Sequence, residues 1–186
     1  MHLTLPLTSA VTATLRAGDA VTLSGTIYTA RDAAHARLVD LIERGEPLPF
    51  NLSGATIYYA GPAPAAPDRV IGSVGPTTSY RMDAYAPTLM CRGLLGMIGK
   101  GERAPEVNTA IQACGAVYFA AVGGAGALLS ECVKSSEIVA FPDLGAEAIR
   151  RLEVENFPCV VAADCHGGNL YESGRRDYLA SSQAPN

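Results

Sequence analysis

Along this chain of 186 residues, short β-branched or aromatic runs alternate with helix-compatible runs, and glycine or proline stands at nearly every junction. That alternation restricts the fold more than any other feature, because strands that each precede a helix pack as a layered α/β domain with polar residues gathered at the strand ends. Strands are expected at 20–29 (AVTLSGTIYT), 55–60 (ATIYYA), 94–98, 116–122, 137–141 and 157–163, with a weakly alternating strand or docking arm within 1–17. Helices are expected at 30–42, 82–94, 104–114 and 144–154; Gly45 and Gly115 act as stops, and Pro105 opens the third of these helices. The expected fold class is therefore α/β, as one domain over 1–172 with a polar, flexible C-terminal tail at 173–186.

The stretch 72–83 (GSVGPTTSYRMD) reads as a turn between an apolar run at 69–71 and the helix at 82–94. Unpaired N–H groups and the positive helix end meet at such a turn, beside Thr77, Thr78, Ser79 and the fork of Arg81. A guanidinium grips a planar carboxylate with two parallel hydrogen bonds, which marks the turn as an anion site for a carboxylate or phosphate. The competing reading is an ordinary turn whose Thr and Ser satisfy helix N–H groups. Two more cations stand at strand ends, where ligands of open α/β sheets collect. Arg31 follows the strand at 20–29, and Lys100 sits between Gly99 and Gly101. Asp32 is placed to cap the helix after Arg31, and His35, one turn on, reads as a structural histidine.

A net charge of −4 excludes a general nucleic-acid binder, so an anionic ligand must be met by local cations. The apolar stretch 113–129 is interrupted by four glycines and is too short for a membrane span. No signal-peptide pattern is read at the N-terminus, and the cytoplasm is the expected location. The GGAGA run at 123–127 lacks the spacing and acidic partner of a dinucleotide site. Five scattered cysteines (91, 114, 132, 159, 165) read as buried thiols rather than metal ligands. Asp164, Cys165 and His166 lie too close together on one loop to converge on an ion, so no metal is assigned to this chain.

The blocks GTIYTARDAAH (25–35), LPFNLSGATIYYAGP (48–62), GPTTSYRMD (75–83), GMIGKG (96–101) and VAFPDLGAEAI (139–149) fall in order over nearly the whole chain. Together they resemble the β subunit, or C-terminal domain, of the iron–sulfur-dependent hydro-lyases: the class I fumarases and L(+)-tartrate dehydratases. The resemblance implies a swivelling β/β/α domain packed on a larger α subunit. That partner's cysteines hold a 4Fe–4S cluster whose open iron acts as a Lewis acid. It also implies that Arg31, Arg81 and Lys100, with Gly75 and Thr78 beside them, hold the carboxylates of a dicarboxylate substrate. Thr77, with help from Lys100, would transfer the proton at the carbon next to a carboxylate; Thr78 and the backbone there could instead clamp the carboxylate. Reversible hydration of fumarate to L-malate is the leading activity, conversion of L-tartrate to oxaloacetate the alternative, and a non-catalytic anion-binding module the third reading. The loop DCHGGN at 164–169 leans toward tartrate dehydratases, whereas YYAGP and FPDLGAEAI lean toward fumarases. Self-association or an α2β2-type assembly is expected.

Overall fold

A computed structural model describes residues 1–182. After β1 (His2–Thr4) and a single turn, α1 (Ser9–Thr12), the chain enters β2 (Ala20–Thr29) and α2 (Asp32–Glu43). Then come β3 (Thr56–Tyr58), a 3-10 turn (Ser79–Met82), α3 (Ala86–Met90) and β4 (Gly96–Gly99). The second half runs α4 (Pro105–Cys114), β5 (Val117–Ala120), α5 (Gly126–Glu131), β6 (Val133–Ala140), a 3-10 segment (Pro142–Glu147), β7 (Ile149–Ala163) and α6 (Leu170–Ser182).

Strands β2, β3, β4 and β5 are parallel neighbours, and β7 runs antiparallel to both β5 and β2. The mixed sheet thereby closes into a five-stranded ring, with β1 added beside β2 and β6 beside β7. Two-residue alternation gives the ring two apolar faces. Tyr58, Ile98, Val117 and Phe119 share one buried cluster with Leu23, Ile27 and Phe157. Ile57, Tyr59, Met97 and Tyr118 face the other way, onto Leu38 of α2, Leu89 of α3 and Val107 and Ile111 of α4. Because four strands are parallel, the segments leaving their C-terminal ends emerge on one rim.

The α/β class, β2, α4 and its left-handed Gly115 stop form as the pattern predicts. Four segments differ. Residues 144–154, expected as a helix, are split between the 3-10 segment and β7, because this stretch zips against both β2 and β6. The apolar run at 69–71 forms no strand. It belongs to a loop in which Ala63 N–H donates to Ser73 O at 3.0 Å, and the expected helix at 82–94 shrinks to α3. From Ser173 to Ser182 the expected tail continues α6, while 183–186 lie outside the described residues. Among the described residues, no helix is long and apolar enough to cross a membrane.

Candidate active site

The rim is stitched by backbone bonds that outlast the strands. Thr77 N–H donates to Tyr59 O at 2.7 Å, and Ser79 N–H donates to Lys100 O at 2.9 Å, so the turn 77–79 is laid across the ends of β3 and β4. Thr78 and Lys100 face each other as a parallel bridge. Val74 N–H reaches Gly126 O at 3.0 Å, and a Cβ on Gly75 would lie 3.5 Å from Gly126 Cα. The two glycines thus let the turn press its backbone onto the start of α5.

Three of the sequence-predicted side chains each lie against a glycine of this frame. Lys100 lies over Gly123, where an added Cβ would stand 3.8 Å from Nζ. Arg31, just past β2, lies over Gly61, where a Cβ would stand 3.5 Å from Nη1. Thr78 projects toward Gly101. The 3-10 turn has no side-chain cap, so its threonines are not spent on helix N–H groups, and the ordinary-cap reading falls. Neither the Thr77 nor the Thr78 hydroxyl makes a hydrogen bond among the described residues. Ser79, by contrast, is buried and bonds Tyr118 Oη at 2.8 Å. Since the Tyr118 hydroxyl donates to Gly101 O at 2.8 Å, Ser79 is the donor of that pair.

The cations are not equivalent. Arg31 Nη2 pairs with Glu147 at 3.1 Å and approaches Asp32 at 3.7 Å. Asp32 therefore faces its neighbour's guanidinium in the first turn of α2 rather than capping the helix, a role for which Arg31 takes the backbone position. Lys100 and Arg81 are exposed and carry no ion pair among the described residues. The strand-end turns thus carry Lys100, an Arg31 shared with a carboxylate, and two unbonded hydroxyls, while Arg81 stands exposed on the 3-10 turn. Such a set can hold a small carboxylate-bearing anion.

A family model described as the fumarase C-terminus matches residues 1–174. The chain belongs to that family. Among its relatives, a protein named fumarate hydratase class I, aerobic, from Escherichia coli K12 is 40% identical over 154 residues, which is 82% of this chain and 28% of that one. Fumarate hydratase 2 of Leishmania major is 39% identical over 156 residues, again 28% of its length. A putative L(+)-tartrate dehydratase subunit beta of Methanocaldococcus jannaschii is 43% identical over 164 residues, 85% of this chain and 84% of the relative. The chain therefore spans between about a quarter and a third of the fumarate hydratases it matches.

The cysteines of this fumarase C-terminus domain do not fit a cluster. Cys91 is exposed, Cys159 is buried, and the other three are half-buried, so only one matches the expected buried thiol. Among the described residues no three His, Cys, Asp or Glu side chains stand together as a metal site. The 164–169 loop is a clasp that leaves β7 where Ala163 pairs with Tyr118 of β5, and just beyond it the Tyr171 hydroxyl accepts the Gly101 N–H at 3.0 Å, beside Lys100. Asp164 accepts N–H bonds from Ala17, His166 and Gly168 at 2.7–2.9 Å, while His166 Nε2–H donates to Ala13 O at 2.9 Å. Burial alone would raise the Asp164 pKa, but those N–H bonds hold it below the usual carboxylate range.

Sequence reasoning missed a buried brace under the rim. Arg103 Nε meets Asp83 Oδ1 at 2.6 Å with its side chain only 1% exposed, and its guanidinium lies over the Tyr59 and Tyr118 rings at 5.2 and 4.9 Å. Asp83 Oδ2 also accepts the Ala104 N–H at 2.7 Å just before α4. The only signal was a lone acid after Arg81 and a lone Arg after Lys100, twenty residues apart. His35 completes the brace: fully buried, edge-on to Tyr59, it donates Nδ1–H to Arg31 O at 2.8 Å. Desolvation lowers its pKa from 6.5 to about 4, so the imidazole is neutral at pH 7. In the unfolded chain His35 protonates first, so its contribution to stability is complete above about pH 6.5 and is lost as pH falls toward 4. The shift corresponds to about 3 kcal/mol. His35→Asn, which keeps the donor to Arg31 O, is expected to flatten the pH dependence of the unfolding midpoint between pH 4 and 6.5. A slope unchanged from wild type would refute the assignment.

Proposed function

We propose that this domain is the β-type part of a 4Fe–4S hydro-lyase that reversibly hydrates fumarate to L-malate, with the cluster held by a larger partner rather than by this chain. The observation that carries the reading is the rim itself. Arg31, Arg81 and Lys100 stand at strand-end turns beside two unbonded threonine hydroxyls, in a chain whose net charge is −4. A dicarboxylate needs at least two cationic anchors, and Arg81 and Lys100 are uncommitted. Arg31 can join them through guanidinium N–H groups that its contact with Glu147 leaves over. Thr77 is assigned the proton at the carbon next to a carboxylate. A hydroxyl is a poor base on its own, and the cation of Lys100 near the turn is what would favour its alkoxide. Gly75, packed on Gly126, sets the backbone of the turn beside Thr77, and Thr78 is a second donor for the carboxylate. In the assembled enzyme the domain acts as the swivelling β/β/α unit that brings this cradle to the partner, in the cytoplasm and within an α2β2-type assembly.

The Methanocaldococcus relative, of matching length, favours a second reading in which the same cradle serves L-tartrate. A stand-alone anion-binding module is disfavoured by exposed Val122 and Leu128 beside the rim, apolar surface that a solitary module has no reason to show. The deciding experiment is anaerobic co-expression with the larger partner, cluster reconstitution, and parallel assays on fumarate and L-tartrate. Turnover of fumarate alone is the expected result; turnover of L-tartrate alone would replace it with the second reading. In the active complex, Thr77→Ala should cost about 10²–10⁴-fold in kcat, and a loss below about tenfold would remove the base role.

A further inference from the structure

Beside the cationic rim the surface turns apolar. Val122 and Leu128 are 70% and 62% exposed, and with Met1 at 63% they border a groove of about 740 Å³ floored by Val21, Leu129 and Val160. The groove is continuous with the candidate active site through one short segment. Val122 precedes Gly123, over which Lys100 lies, and Gly126 at the start of α5 packs on Gly75, two residues before Thr77. Whatever fills the groove therefore bears directly on the loops that set Lys100 and Thr77.

Resting on the proposed function, we propose that this groove is the docking face for the larger part of the enzyme: the preceding chain in the fumarate hydratases and a separate subunit where the domain stands apart. Two observations select that occupant. The matching region makes up 28% of the fumarate hydratases, so most of those chains lies outside it, and the family model that matches from residue 1 describes a C-terminus. Met1, at which the family match begins, stands on the lip of this groove. The partner chemistry is correspondingly an apolar ridge, with its substrate-facing groups placed beyond Val122.

Val122→Arg with Leu128→Arg tests this in the co-expressed complex, alongside Val70→Arg with Ile138→Arg as a control at a different exposed apolar patch. Circular dichroism and the thermal midpoint first establish that each chain folds. The groove variant is expected to weaken the complex at least about thirty-fold by light scattering and titration, as for central interface anchors, with the control unchanged. In the wild-type complex, amide exchange should slow over 20–22 and 122–129, a readout that needs no variant. Equal affinity for the groove variant, or equal weakening by the control, would overturn the inference. So would a result in which the groove variant abolishes only self-association of the free chain, because the groove would then join copies of this chain. Absence of any wild-type complex would overturn it together with the partnership. A complex that docks through the groove but turns over neither acid would sink the substrate reading and leave the docking face standing.

Discussion

Asp83→Ala is expected to destabilise the chain by about 3–5 kcal/mol, because it leaves the Arg103 guanidinium buried with no carboxylate opposite it. The side chain of Arg103 is 1% exposed and its ion pair with Asp83 measures 2.6 Å, so water cannot take over the lost partner. The same change strips the Ala104 N–H of its acceptor at the start of α4. Urea unfolding measures the loss, and a change below about 1 kcal/mol would show that the pair is not the brace described. Adding Arg103→Met should restore part of the stability, since an apolar side chain there needs no counter-charge. The restored chain need not regain function. Asp83 and Arg103 belong to the turns that carry Arg81 and Lys100, and losing the brace lets those turns drift apart.

The second large effect is on turnover alone. Arg81→Ala in the assembled enzyme should lower kcat/KM by about 10²–10³-fold, the usual cost of deleting one pre-placed donor to a developing or bound anion. Its exposed side chain makes no ion pair among the described residues, so the unfolding free energy should stay within about 0.5 kcal/mol of wild type. Arg81→Lys keeps the charge and loses the two-pronged grip, and should recover only part of the rate. Turnover of Arg81→Ala equal to wild type would remove Arg81 from the cradle.

The residues that could be read ahead of the structure were those whose roles are local. A strand pattern followed by Arg31, a Gly-Lys-Gly turn after an apolar run, and a proline-opened, glycine-stopped helix all carry their cause within a few positions. What failed was decided at a distance. Residues 144–154 carry helix-forming Glu, Arg, Leu and Ala, yet pairing on two sides, to β2 and β6, outweighs that propensity. Asn156 with φ 54° and Pro158 look like strand breakers, yet β7 carries Asn156 through where its register against β2 shifts and Pro158 in register opposite Thr22. The Asp83–Arg103 brace joins residues whose separation in sequence has no periodic meaning. His35 was legible as structural, but the rings it packs on come from Tyr59 and Tyr85, beyond any local window.

A ring in which β7 clasps both β2 and β5 borrows no strand from a neighbour. Each of the five ring strands has neighbours on both sides from this same chain, so a covalent link to anything else is a matter of convenience rather than of closing the ring. Related sequence accordingly occurs both as a minor fraction of a long polypeptide and as most of a short one. Such a unit can be joined to its partner by a gene fusion or released by a fission without rebuilding its core, and evolution is free to adjust how much of each half the cell makes.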